Sequence, residues 1–117
     1  MSLDLESVPG VASVARRRLG NGELVFAVRD VPSVIKSCSS SEVAVLGVEI
    51  FPGLNVSAYD FKVESPLGIE GWPVYVRSNN TLALALVEGQ DQEKCDRDCI
   101  LTTVSWREFC RMKPDPV

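Results

Sequence analysis

The segment Val43-Ala-Val-Leu-Gly-Val-Glu-Ile-Phe51 constrains the fold more than any other part of the chain. It has the length of a strand and is apolar on both faces except at Gly47 and Glu49. A strand with one wet face alternates apolar and polar residues, whereas a run apolar throughout needs cover on both sides. The segment therefore predicts a strand central in its sheet. Glu49 breaks the pattern near the strand's end, which marks it for attention.

Around this strand the chain supplies short elements separated by clear breaks. Val8, Val11, Ala12, Ala15 and Leu19 recur at helical spacing, with Ser7 as a cap and Pro9 in the first turn. Asp4 and Glu6 at its start and Arg16, Arg17 and Arg18 at its end complement a helix dipole, so the arginines read as a solvated helix end. Gly20-Asn21-Gly22 stops it. Leu24 to Val28 predicts a strand, and Asp30 with Pro32 opens a helix carrying Val31, Val34, Ile35 and Cys38 on one face. Beyond the turn at Pro52-Gly53, Tyr59, Phe61 and Val63 alternate with Asp60, Lys62 and Glu64, the pattern of a half-buried strand. An irregular stretch around Ser65–Gly68 and Gly71-Trp72-Pro73 leads to a short strand at Val74–Val76. Asn79-Asn80-Thr81 then caps a buried helix, Leu82 to Glu88. After a polar loop, Cys99 to Val104 predicts a strand, and Ser105-Trp-Arg-Glu108 is a capping box opening a last helix with Trp106, Phe109 and Cys110 inward. This order gives one α+β domain over 1–117, with a mixed or antiparallel central sheet and about four helices.

Composition narrows the chemistry. The 117 residues suffice for a core without disulfides. Twelve Lys and Arg against 16 Asp and Glu give a net charge of −4, which argues against nucleic acid as a partner. The chain has no histidine, which removes the usual general base near neutral pH, the Ser-His and Cys-His pairs and the commonest metal ligand. The first residues are acidic where a secretory signal is basic, and the longest apolar runs, such as Leu82 to Val87, are too short for a bilayer. A cytoplasmic chain without membrane contact is expected. Cys38 and Cys110 sit at helix-periodic apolar positions as small hydrophobes. Cys95 and Cys99 have a spacing loosely compatible with half a zinc site, but lack a second local pair. Neither a metal site nor a cofactor is expected.

Between Glu88 and Asp98 five carboxylates, Glu88, Asp91, Glu93, Asp96 and Asp98, meet two cations within 11 residues. The run lacks the glycine and spacing of a calcium loop, and reads as a solvated loop or as an acidic surface that steers a basic partner. Among the aromatics able to anchor an interface are Tyr59, Trp72, Tyr75 and Trp106. Trp72, framed by Gly71 and Pro73, is the best candidate for exposure.

From the helix at Asp30 through Leu46-Gly47-Val48-Glu49-Ile50-Phe51, Tyr59, Trp72 and the helix at Asn79, the chain resembles the small α+β immunity proteins of bacterial polymorphic toxin and contact-dependent inhibition systems. The resemblance spans residues 23 to 104. Gly47-Val48-Glu49 stands where that family's strand carries Gly-Gly-Asp. It implies a non-enzymatic protein that binds and blocks a cognate toxin domain, often a basic nuclease, with Glu49 as a candidate functional carboxylate. Two rivals are a small enzyme using carboxylate or thiol chemistry at Glu49, Tyr59 and Cys99, and a zinc-stabilised interaction module. The sequence sets no oligomeric state.

Overall fold

The computed structural model describes residues 3–90 and 96–112. Helices α1 (Leu3–Ser7) and α2 (Val11–Val14) precede strands β1 (Arg17–Arg18) and β2 (Leu24–Ala27) and helix α3 (Val31–Ser40). Strands β3 (Ala44–Phe51) and β4 (Leu54–Val56), helices α4 (Ala58–Phe61) and α5 (Trp72–Glu88), strand β5 (Asp98–Val104) and helix α6 (Trp106–Met112) follow. The strands form one antiparallel sheet in the order β1-β2-β5-β3-β4. The architecture is α+β, as expected, and β3 is interior, between β5 and β4.

The all-apolar run of β3 has a specific cause. A bulge between Val45 and Gly47 shifts its register against β5. Val45, Val48 and Ile50 enter the main core with Phe26, Cys99, Leu101 and the α3 residues Val34, Ile35 and Cys38. Ala44 and Leu46 instead pack with Trp72, Tyr75, Val76, Val104, Trp106 and Phe109. One strand thus feeds two apolar clusters, and a β-bulge is the device that re-aims its side chains.

Helix α5 is tied to this strand by a side chain. Asn80 is 2 % exposed. Its Oδ1 accepts from the Val45 N–H at 2.7 Å, while its Nδ2 donates to the Val43 carbonyl at 2.9 Å and to Ser39 Oγ at 3.0 Å. Strand β4 pairs only with Val48 to Ile50, so the amide of Asn80 takes the place of a missing strand neighbour where β4 does not reach. This lock also joins α3 to α5.

Four local expectations are corrected. The stripe from Val8 to Leu19 is not one helix: Gly10 adopts a left-handed φ of 83°, separating α1 from α2. The arginines accordingly leave the helix, and Arg17 and Arg18 become the edge strand β1 opposite Val25 and Leu24. The alternation at residues 59–64 loses to a capping box, in which Asp60 accepts from the Ser57 N–H and the Ser57 hydroxyl bonds the same carboxylate, starting α4; Lys62 at φ 55° ends it. Val74–Val76 is not a strand and Asn79 is no cap, because α5 begins at Trp72 with Pro73 in its first turn. Cys110, expected inward, is exposed. The second capping box is present: Ser105 Oγ accepts from the Glu108 N–H at 3.2 Å and Glu108 accepts from the Ser105 N–H at 3.3 Å.

Candidate functional surface

The residues proposed from sequence separate into three places. Asp96 and Asp98 lie at the start of β5 and are answered internally. Arg16 donates to Asp98 Oδ1 at 3.0 Å and to the Asp96 carbonyl at 2.7 Å, Arg17 bonds the other Asp98 oxygen, and Arg29 bonds the Asp96 carboxylate. The two guanidinium groups hold the Asp98 carboxyl below the usual carboxylate range, mainly through the Arg17 hydrogen bond. Asp91 and Glu93 lie outside the described residues, as does Cys95. Glu88 is exposed at the end of α5.

Glu49 is half-buried, opposite Ile100 on β5 and Asn55 on β4, and alternation aims it away from the core that takes Val48 and Ile50. Tyr59 lies on α4, and its side chain is outside the description. Trp72, expected exposed, is 2 % accessible. Its Nε1 donates to the Glu42 carbonyl at 2.8 Å, and its ring stacks on Tyr75 at 5.3 Å and meets Trp106 and Phe109 at 5.5 and 5.4 Å. The irregular neighbourhood of Trp72 misled: the indole N–H found a carbonyl in the interior, which lets the whole ring bury.

Two of the three described cysteines are core residues, and the third, Cys110, is exposed. Cys38 and Cys99 are buried, and burial pushes both thiols up to about 12, with the Glu49 carboxylate adding to the rise at Cys99. A thiol so placed is protonated and inert at neutral pH. No group of three or more Cys, Asp or Glu side chains among the described residues is arranged to hold a metal ion.

The start of α5 carries a feature that no sequence motif announced. In the loop before it and on its first turn, Leu67, Ile69 and Val74 stand 99 %, 66 % and 58 % exposed. The loop that carries the first two doubles back on α5: a Cβ on Gly71 would meet Leu67 N at 3.2 Å and Pro66 Cβ at 3.4 Å. Glycine is what permits this approach. Between that loop and α5 lies a groove of about 560 Å³ lined by Val63, Pro66, Leu67, Val74, Tyr75 and Ser78. A second, of about 540 Å³, is lined by Val56, Phe61, Leu82, Ala85 and Leu86. At 100° per residue, Val74, Ser78, Leu82 and Ala85 share one side of α5, so both grooves flank the same helix face. No charged residue occurs from Ser78 to Val87, although that face meets solvent. An exposed helix face normally carries charge. This absence was the available signal; the run Leu82–Val87 reads as simply buried until Leu82 is seen to be 41 % exposed.

The margin of this surface is acidic. Asp60 lines the second groove and Glu64 the first, Glu70 is exposed in the adjoining loop, and Glu88 closes the far end of α5. Among the described residues Lys62 is the cation lining these grooves, and Arg77 is exposed on α5 beside them. No family model, curated protein or solved structure matches the chain.

Proposed function

We propose that this chain is a non-enzymatic immunity protein that neutralises a cognate bacterial toxin domain by protein–protein contact. The observation that carries the reading is the exposure of Leu67 and Ile69 in the loop before α5 and of Val74 and Leu82 on one side of that helix. Contiguous exposed apolar side chains rimmed by charge mark partner-binding sites. The resemblance around Leu46–Phe51 adds the class of partner, and the acidic margin suits a basic one. Glu88 is exposed at the end of the helix that carries this surface, whereas Asp96 and Asp98 serve the fold through their arginines.

The test is growth rescue and direct binding with the toxin domain encoded beside this gene. Co-expression restores growth, and purified partners form a stoichiometric complex by calorimetry. Val74→Asp, on an exposed helical position, weakens binding by about a hundredfold or more while the melting temperature stays close to that of the parent chain. Equal killing with and without this chain rejects the reading.

A further inference from the structure

We infer that the occupant of the α5 surface is an amphipathic helix of the partner whose apolar stripe is bordered by lysine or arginine. The inference rests on the docking reading above and adds the shape and charge of what docks.

The shape follows from the walls. The grooves run along α5 from Gly71 to Leu86, a span of about 22 Å at 1.5 Å per residue. Their linings are mostly apolar side chains: Val63, Val74 and Tyr75 at one end, Phe61, Leu82 and Leu86 at the other. The sheet edge reaches this surface only at Asn55 and Val56 of the three-residue strand β4, so an extended segment running the whole span would leave most of its N–H and C=O groups without strand partners, whereas a helix brings its backbone hydrogen bonds with it. A helix of about fifteen residues matches the span.

The charge follows from the margin. Among the described residues Asp60, Glu64, Glu70 and Glu88 outnumber the cations of this border, Lys62 in the first groove and the exposed Arg77 on α5, and carboxylates stand at both ends of the surface, Glu64 and Glu70 at one and Glu88 at the other. That distribution also rejects a second copy as occupant. A two-fold antiparallel pairing of α5 helices would set the Glu64/Glu70 end of one copy against the Glu88 end of the other, and like charges juxtaposed at an interface oppose it. A cationic border meets carboxylates at both ends at once.

Two synthetic helical peptides of about sixteen residues test this. Both carry the same leucine stripe; one has lysine on the margins and the other glutamate. Binding is followed by backbone amide shifts of the full chain, alongside its sedimentation. The lysine peptide shifts residues of α5 and of 62–71 and binds about tenfold or more tighter than the glutamate peptide, a preference that shrinks with added salt and is lost in the combined variant Glu64→Gln, Glu70→Gln, Glu88→Gln. Equal affinity for the two peptides overturns the charge assignment, and absence of shifts on α5 overturns the helix assignment. A dimer dissociated by Val74→Asp overturns both in favour of self-association. If either assignment fails while Val74→Asp still abolishes toxin neutralisation, the docking reading stands without it; if Val74→Asp neutralises as well as the parent chain, the docking surface itself is wrong.

Discussion

Asn79 and Asn80 are buried side by side in α5, 1 % and 2 % exposed, and meet the interior on opposite terms. The amide of Asn80 bonds the Val45 N–H and the Val43 carbonyl, whereas neither amide atom of Asn79 has a hydrogen-bond partner among the described residues. Burying an unsatisfied amide costs about 1–3 kcal/mol, and leaving two backbone groups unsatisfied costs a similar amount each. Asn80→Leu should therefore lower stability by about 3 kcal/mol, while Asn79→Leu, with the same branched skeleton, should raise it by about 1 kcal/mol. Urea unfolding of the two variants reads both signs, and a destabilised Asn79→Leu would show that this amide has a role the hydrogen-bond pattern does not reveal. The thiols give a second prediction at this scale. In a Cys95→Ser background a disulfide reagent should modify exposed Cys110 in the native protein, and Cys38 and Cys99 only in denaturant. Fast native reaction at Cys99 would revive the thiol-enzyme alternative. Cys38 was legible as a small core hydrophobe from its place on the α3 stripe; the exposure of Cys110 was not, because a seven-residue helix at the chain's edge buries only a narrow face.

At the scale of elements, the strands β2, β3 and β5 and the helix α3 were legible, and each has a run of β-branched or helix-periodic residues bounded by breakers. Misreadings fell where local capping or backbone conformation overrode periodicity, as at Gly10 between α1 and α2. Ser57 and Asp60 turned an alternating run into α4, and Pro73 with the buried Trp72 began α5 early. The docking surface was hidden for a related reason: Leu82 to Val87 is apolar all round, and nothing in the run itself says which side the sheet takes. The same capping chemistry makes α6 testable. Its box, Ser105 with Glu108, fixes the helix whose Trp106 and Phe109 close over Trp72 and Tyr75. Ser105→Ala should cost about 1 kcal/mol. It should also weaken the near-ultraviolet circular dichroism of the aromatic cluster and, by loosening the base under Val74, reduce partner affinity. An unchanged aromatic signal would mean that the cluster holds α6 without help from its cap.

For the whole molecule, two residues of the arginine triplet, Arg16 and Arg17, and two of the acidic run, Asp96 and Asp98, read separately from sequence, form the two sides of one junction, while Arg18 pairs with Glu6. Arg16 and Arg17 carry the N-terminal arm onto the sheet through Asp98, and Arg29 meets Asp96 across the start of β5. Charge spacing along the chain did not show this, because the partners lie 67 to 82 positions apart and only antiparallel pairing of β1, β2 and β5 brings them together. The junction sets an acid dependence. Asp98 is held below the usual carboxylate range in the folded chain, so its contribution is fully present above the unfolded carboxylate value and is lost as the pH falls through the lowered folded value. The unfolded chain binds the proton first, and stability declines toward acid. These side chains are partly exposed, so the effect is modest: Asp98→Asn should lower neutral-pH stability by about 1 kcal/mol or less, diminishing with salt. Urea midpoints measured from neutral pH into the acid range should fall more steeply for the parent chain than for Asp98→Asn, with the two curves converging at the acid end. Parallel curves would mean that the arm is held by Leu5, Val8 and Val11 in the core, and that its arginines only set its register.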